Sequence, residues 1–283
     1  MTDLPKDEFN EAKVRQDGVD KDIVVAATIV LFLKLKLKKQ LTRNLQKRYK
    51  AFVREIFNSY SKYGYLPMLD KLRYDVEQIL WQHYKFVGNA FDEFARIELG
   101  IPTDDAGFNK RLQDLINVRG FNRAHYSANQ IVRTTEKDMD NALMLIISIG
   151  AALGISLTRK DIAKKLKDVL LPLFNKRIES VISPTETNVA AEQTKFDEIS
   201  TLYDMNAVLP DGRRMEEIDV KKIWVARFIN TRQWHQDAHG QKRRYNQPYD
   251  VDGEKLMFPM DISLGASPRN IINCYCSSQL FVD

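Results

Sequence analysis

The sequence predicts a mainly α fold with a small α+β module at its C-terminal end. Apolar residues recur at helical spacing through the first half, and a second amphipathic series occupies about 157–203. After Val220 the texture changes to short apolar runs separated by Gly- and Pro-containing turn clusters. No fixed-period repeat is present, which excludes a solenoid.

Residues 1–20 carry Pro5, Gly18 and many charges without periodicity, the pattern of a flexible arm. From Lys21 a stripe begins with Ile23, Val24, Ala27, Val30 and Leu31 and continues through Leu41, Leu45, Tyr49, Phe52, Val53 and Ile56. The alternation of apolar residues with lysine over 31–37 would suit a strand, but helix-spaced positions flank it on both sides, so helix is preferred. A break at 59–64 precedes Pro67, a residue tolerated in a first helical turn, and a second helix is expected over 68–99. Gly100, Ile101 and Pro102 give it a stop. Further helices are expected at 106–118 and 121–141, which makes 21–141 a helical region of bundle type.

The run 142–155 is apolar on every face and interrupted by Gly150 and Gly154; it predicts a core helix or hinge, being too short to span a bilayer. Ser156 or Thr158 offers an N-cap for the series Ile162, Leu166, Val169, Leu170 and Leu173, with helix to about Ile182 and again over 185–203. Pro210, Asp211 and Gly212 mark a turn. The β-containing module is placed at 221–283.

A chain of 283 residues is long enough for two domains. Lys and Arg total 43 against 38 acidic residues, and the resulting +5 charge admits anionic partners without demanding them. Cys274 and Cys276 lie too close together to staple a secreted fold, which favours a reducing, intracellular origin. The polar first 22 residues lack the cationic start and apolar core of a signal peptide, and the apolar stretch 23–33 falls short of the roughly 18–20 residues of a spanning helix.

Chemistry-bearing residues concentrate between Lys222 and Cys276. A Cys-x-Cys pair on a strand directs both sulfurs to one face, where His235 or His239 could complete a zinc set with Cys274 and Cys276. Structural zinc pairs are usually spaced by two to four residues, so buried thiols beside hydrogen-bonded histidines, with no cofactor, are the preferred expectation. The spelling His235-x-Asp237-x-His239 suggests a metallohydrolase only in an extended segment, and neither a phosphate loop nor a second carboxylate cluster accompanies it. The expectation is therefore no enzyme, with Arg232, His235 and Asp237 forming a hydrogen-bonded lattice and Trp224 and Trp234 anchoring a core. Two basic stretches stand apart: Lys242-Arg243-Arg244, and 34–54 with Lys34, Lys36, Lys38, Lys39, Arg43, Lys47, Arg48 and Lys50. On a helix the second suits phosphates or an acidic protein wall, and a solvated face explains it as well.

The string Lys222-x-Trp224, Thr231-Arg232-x-x-His235, His239-Gly240-Gln241, Asp252-Gly253, Phe258-Pro259 and Asn273-Cys274-Tyr275-Cys276 resembles the phage head morphogenesis domain of the Mu F type. Upstream, Arg177-x-x-x-x-Ile182 followed by Thr185-Glu186-Thr187 is similar to another segment of that family, so the resemblance covers about the C-terminal half, 142–283. His239, Tyr275 and Pro184 stand where the family pattern has Asp, Arg and Arg. The resemblance implies a non-enzymatic minor head protein made in the host cytoplasm and carried in the virion near the portal vertex. Its implied partners are the portal protein, capsid or other head proteins and the packaged genome, and a membrane is not expected among them. It also implies a structural cluster of Trp224, Arg232, His235, Gly240, Gly253, Pro259, Asn273, Cys274 and Cys276. The rival expectations are an ejected protein that binds DNA or membrane through 34–54 and a zinc-dependent hydrolase.

Overall fold

The computed structural model describes residues 21–91, 96, 99, 106–208, 212–227 and 231–282. The arm expected at 1–20 and the stop at 100–102 lie outside these residues. Helix α1, Lys21–Tyr63, runs unbroken through the lysine-alternating stretch and buries Leu37, Leu41, Leu45, Tyr49, Phe52, Val53, Ile56 and Tyr60 along one face. Gly64, at φ 79°, ends it in the left-handed conformation, its N–H donating to the Tyr60 carbonyl at 3.0 Å. Helix α2, Asp70–Phe91, starts three residues after Pro67 rather than at it, with Asp70 in the first turn facing the positive end of the helix dipole.

The next element corrects the expectation of two helices at 106–118 and 121–141. Helix α3 runs from Ala106 to Ala152 without a break, so the domain boundary drawn at 142 falls inside it. Gly120, which reads as a breaker, lies against α2: a Cβ there would stand 3.0 Å from the Tyr84 Cβ. Gly88 of α2 does the reciprocal service, since its Cβ would come within 2.6 Å of Ile116. The small residues let two helices approach closely, which offsets the roughly 1 kcal/mol that glycine costs inside a helix. The run 142–155 is not a core helix. Ala142, Ile146 and Gly150 face inward, while Met144, Leu145, Ile147, Ile149, Leu153 and Ile155 are exposed at the C-terminal end of α3 and in the turn that follows it.

Helix α4, Arg159–Arg177, opens with a capping box. The Asp161 N–H donates to Thr158 Oγ1 at 3.2 Å, and the Thr158 N–H returns a bond to Asp161 Oδ2 at 3.0 Å. A π turn, Ile178–Ile182, joins α4 to α5, Ser183–Asp204, in one path. Pro184 near the start of α5 cannot donate, and its ring would press on the carbonyl four residues back; the wider turn before it relieves that conflict. Helix α1 packs chiefly on α4 and α2 chiefly on α3, and α5 touches α1, α2 and α3.

Beyond α5 the chain forms β1, Val220–Val225, a short helix α6, Gln233–Asp237, and strands β2, Lys242–Arg244, β3, Tyr249–Val251, and β4, Glu254–Leu256. Helix α7, Pro268–Ile271, and strand β5, Ser277–Val282, follow. β1 is the middle of an antiparallel sheet ordered β2-β1-β5, with Lys222 opposite Leu280 and Trp224 opposite Ser278. β3 and β4 form a hairpin whose turn is the Asp252-Gly253 pair, both at positive φ (53° and 78°), as hairpins of this hand require. No helix among the described residues is long and apolar enough to cross a membrane.

One face of the sheet packs on α5, and Val189, Ala190 and Ala191 share a core with Trp224, Tyr249, Val251, Leu256, Cys274 and Cys276. The other side of α5 meets the long helices. Both sides of this helix are therefore covered, and its polar residues find partners in the interior. Glu186 accepts from Tyr84 Oη at 2.8 Å and Ser127 Oγ at 3.0 Å, Glu192 pairs with Lys34 at 2.8 Å, and Glu198 pairs with Arg96 at 2.9 Å. Asp197 pairs with Arg119, and burial still raises its carboxyl to about 6.

Candidate functional site

The residues that carry the chemistry of the C-terminal module converge on His235, which α6 holds 1% exposed. Trp224 from the middle strand stacks edge-on against its ring at 5.7 Å, and Trp234 does so from the neighbouring position at 6.2 Å. The tight loop 272–276 brings Cys274 Sγ to 3.4 Å and Cys276 Sγ to 3.6 Å from His235 Nδ1. The two cysteines precede β5 rather than lying on a strand, yet alternating burial over 274–276 still turns both sulfurs inward.

On the far side of the ring, His235 Nε2 lies 3.0 Å from Asn270 Oδ1. That same oxygen accepts from Trp234 Nε1 at 2.7 Å. An indole nitrogen can only donate, so the atom it meets must be the amide oxygen. Nε2 must therefore carry the ring proton, and Nδ1 presents a lone pair to the two sulfurs. Asn270 completes its own bonds by donating from Nδ2 to Glu254 Oε2 at 2.8 Å and to the Val251 carbonyl at 3.3 Å. Hydrogen bonds from Ser267 and Asn270, with Arg269 alongside, hold the Glu254 carboxyl down to about 2. Burial pushes the Cys274 thiol up. The hydrogen bond from the Cys274 thiol pulls Cys276 below the usual thiol range, against its burial.

Of the residues singled out by sequence, Trp224, His235, Cys274 and Cys276 form this centre, and Arg232 braces it by donating to the Ile272 carbonyl at 2.7 Å. Asn273 N–H donates to Thr185 Oγ1 at 3.1 Å and Asn188 Nδ2 donates to the Cys274 carbonyl at 2.9 Å, tying the loop to α5. Gly240, at φ 79°, and Gly253 make turns, and Pro259 is buried in a third. Two expectations fail. His239 stands apart from the sulfurs, its Nδ1 accepting from the Ala226 N–H at 3.1 Å, so it is no part of the ligand set. Asp237 bonds Gln233 on its own helix at 2.8 Å and does not join Arg232 and His235 in a lattice. The segment is helical, which also removes the extended geometry that His-x-Asp-x-His would need.

Asn270 is the residue that sequence reasoning missed; the signal was the Ser267-Pro268 helix start two residues before it, which fixes its direction. Lys222 is the second centre of the module. It is 2% exposed, its Nζ donates to the Met257 carbonyl, and the Tyr249 ring lies 4.9 Å away. Desolvation lowers its amine to about 7, against the pull of Asp261.

The basic stretch on α1 divides. Lys34 and Arg48 turn inward, Lys34 to Glu192 and Arg48 to Asp75 at 2.6 Å, so neither belongs to a contact surface. Lys38 is half-buried, while Lys36, Lys39, Arg43, Lys47, Lys50 and Arg54 are exposed. Their spacing of three or four residues places these six on one face.

His235, Cys274 and Cys276 offer ligand atoms all within 4.8 Å of one another, the one such group among the described residues. Histidine between a cysteine and an asparagine is also an order used for nucleophilic catalysis, but with Cys276 0% and Cys274 2% exposed a substrate has no approach. Compared with family models, with curated proteins and with solved structures, the chain matches none.

Proposed function

We propose that the chain is a non-enzymatic minor structural protein of a tailed-phage head, working near the portal vertex in head assembly or in genome packaging and ejection. The reading rests on the Mu F-type resemblance of the C-terminal half. The observation that carries it is the convergence of Trp224, His235, Cys274 and Cys276, with Arg232 braced alongside, into one buried cluster set against α5. Side chains spent on cohesion in this way suit a module whose work is to hold other proteins. The partners are the portal protein and neighbouring capsid or head proteins, gripped by the long helices. Mass spectrometry of purified particles from cells carrying the encoding phage, together with co-purification on a portal ring, tests this. The chain is expected in both; its absence from the particles overturns the reading.

The exposed row from Lys36 to Arg54 favours a second reading, contact with genomic DNA. Eighteen residues of helix rise roughly 27 Å, a length over which duplex DNA presents many phosphates. Binding through this face would weaken steeply with salt, by roughly 0.9 in log–log slope for each phosphate neutralised. Replacing Lys39, Arg43 and Lys47 by Gln is expected to lower that slope by about two to three; an unchanged slope removes this face from DNA binding.

A further inference from the structure

We propose that His235, Cys274 and Cys276 form a zinc-binding centre that pins the C-terminal loop to α6. The first support is distance. Zinc bonds of about 2.3 Å to sulfur and 2.0–2.1 Å to nitrogen, at tetrahedral angles, set ligand edges of about 3.6 Å between nitrogen and sulfur. The edges here are 3.4 Å to Cys274 and 3.6 Å to Cys276. The second support is the direction of the ring. Trp234 fixes the Asn270 amide oxygen, that oxygen accepts a hydrogen bond from Nε2–H, and the free lone pair of Nδ1 is left pointing at the sulfurs. A metal-bound histidine is held by this kind of outer partner, which sets its tautomer before the cation arrives.

The third support is charge. All three ligand residues are buried, and a lone dication or a lone thiolate there would carry a heavy desolvation cost. Two thiolates, a neutral imidazole and Zn²⁺ sum to zero, so the complete set enters the interior without net charge. Soft sulfur donors select zinc over the harder magnesium or calcium. Three protein donors leave one position, which falls to a water molecule. This inference does not depend on the phage reading: a head protein or any other protein with this geometry would hold the cation in the same way.

The full-length chain, purified under reducing conditions, is expected to contain one equivalent of zinc by elemental mass spectrometry. Exchange with cobalt is expected to produce the near-ultraviolet thiolate-to-metal charge-transfer band. Chelation is expected to lower the melting temperature and to expose both thiols to a disulfide reagent. Asn270→Ala, which removes the outer partner of His235 together with the bonds to Trp234, Val251 and Glu254, is expected to weaken zinc binding by about 10- to 100-fold in the chain that remains folded. A folded wild-type chain that takes up no cobalt, or that takes up cobalt without a thiolate band, overturns the proposal, because metal would then be absent or held at another surface. These wild-type measurements decide the matter even where Cys276→Ser fails to fold.

Discussion

Lys222 shows how a single buried side chain makes stability depend on pH. Its amine titrates near 10.4 in an unfolded chain and at about 7 in the fold. Between those values the unfolded state binds more protons than the native state, so stability rises as pH increases through the window. The cost of burying the charge is fully present below about pH 7. Urea midpoints measured at about pH 7, 8 and 9 are expected to climb, and Lys222→Met is expected to flatten the climb; an equal slope in both chains would remove Lys222 as its source. Asn270 predicts a larger loss. It serves two donors and two acceptors while wholly buried, so Asn270→Ala strands several polar groups at roughly 1–3 kcal/mol each. The expected fall is about 2–5 kcal/mol, with a change in Trp234 fluorescence as its indole loses the amide oxygen. At this scale the sequence made His235, Cys274 and Cys276 visible through rare residue types at short spacing. Asn270 was hidden because asparagine is common in turns, and its own neighbours in sequence do not say that a tryptophan and a histidine from another segment will close around it.

Among the elements, α3 shows the limit of reading glycine as punctuation. Gly120 and Gly150 each suggest a stop, but both lie where another part of the fold needs the room: Tyr84 against Gly120 and Leu157 against Gly150. Local pattern cannot tell a breaker from a close contact. Gly88→Ala makes the point testable. The methyl gains about 1 kcal/mol of helix propensity but meets Ile116 at 2.6 Å, and overpacking costs about 1–3 kcal/mol. A net loss of up to about 2 kcal/mol is expected, recovered in part when Ile116 is trimmed to Val; a stabilised Gly88→Ala chain would show that α2 and α3 can separate freely. Helix α5 illustrates the opposite limit. Its Glu186, Glu192, Lys195, Asp197 and Glu198 are residue types that ordinarily face water, and all are buried, because helices cover one side and a sheet covers the other. The Thr158 cap and the Asp252-Gly253 turn were legible since both are decided by residues next to one another.

Across the whole molecule, α5 is the wall shared by the helical frame and the C-terminal module, so the two should not be separable. Lys34, near the start of the buried stripe of α1, reaches Glu192 on α5; Glu192 also accepts from the Ser278 N–H at 2.8 Å, and Lys195 donates to the Ser278 carbonyl at 3.0 Å. One carboxylate thus joins frame, wall and sheet. Lys34→Met leaves it buried without its cation, and the loss of one partner of such a pair costs about 3–5 kcal/mol. The mutant is expected to melt lower as seen by both Trp81, in the frame, and Trp224, in the module, since a shared wall transmits the loss to each. A fragment of residues 221–283 tests the same coupling from the other side. Without α5 its sheet loses Val189, Ala190 and Ala191, and the 272–276 loop loses Thr185 and Asn188. Few strands remain to bury the exposed face. The fragment is expected to lack near-ultraviolet circular dichroism and a cooperative transition; a sharp melt of 221–283 alone would make the module a domain in its own right and reduce α5 to its neighbour.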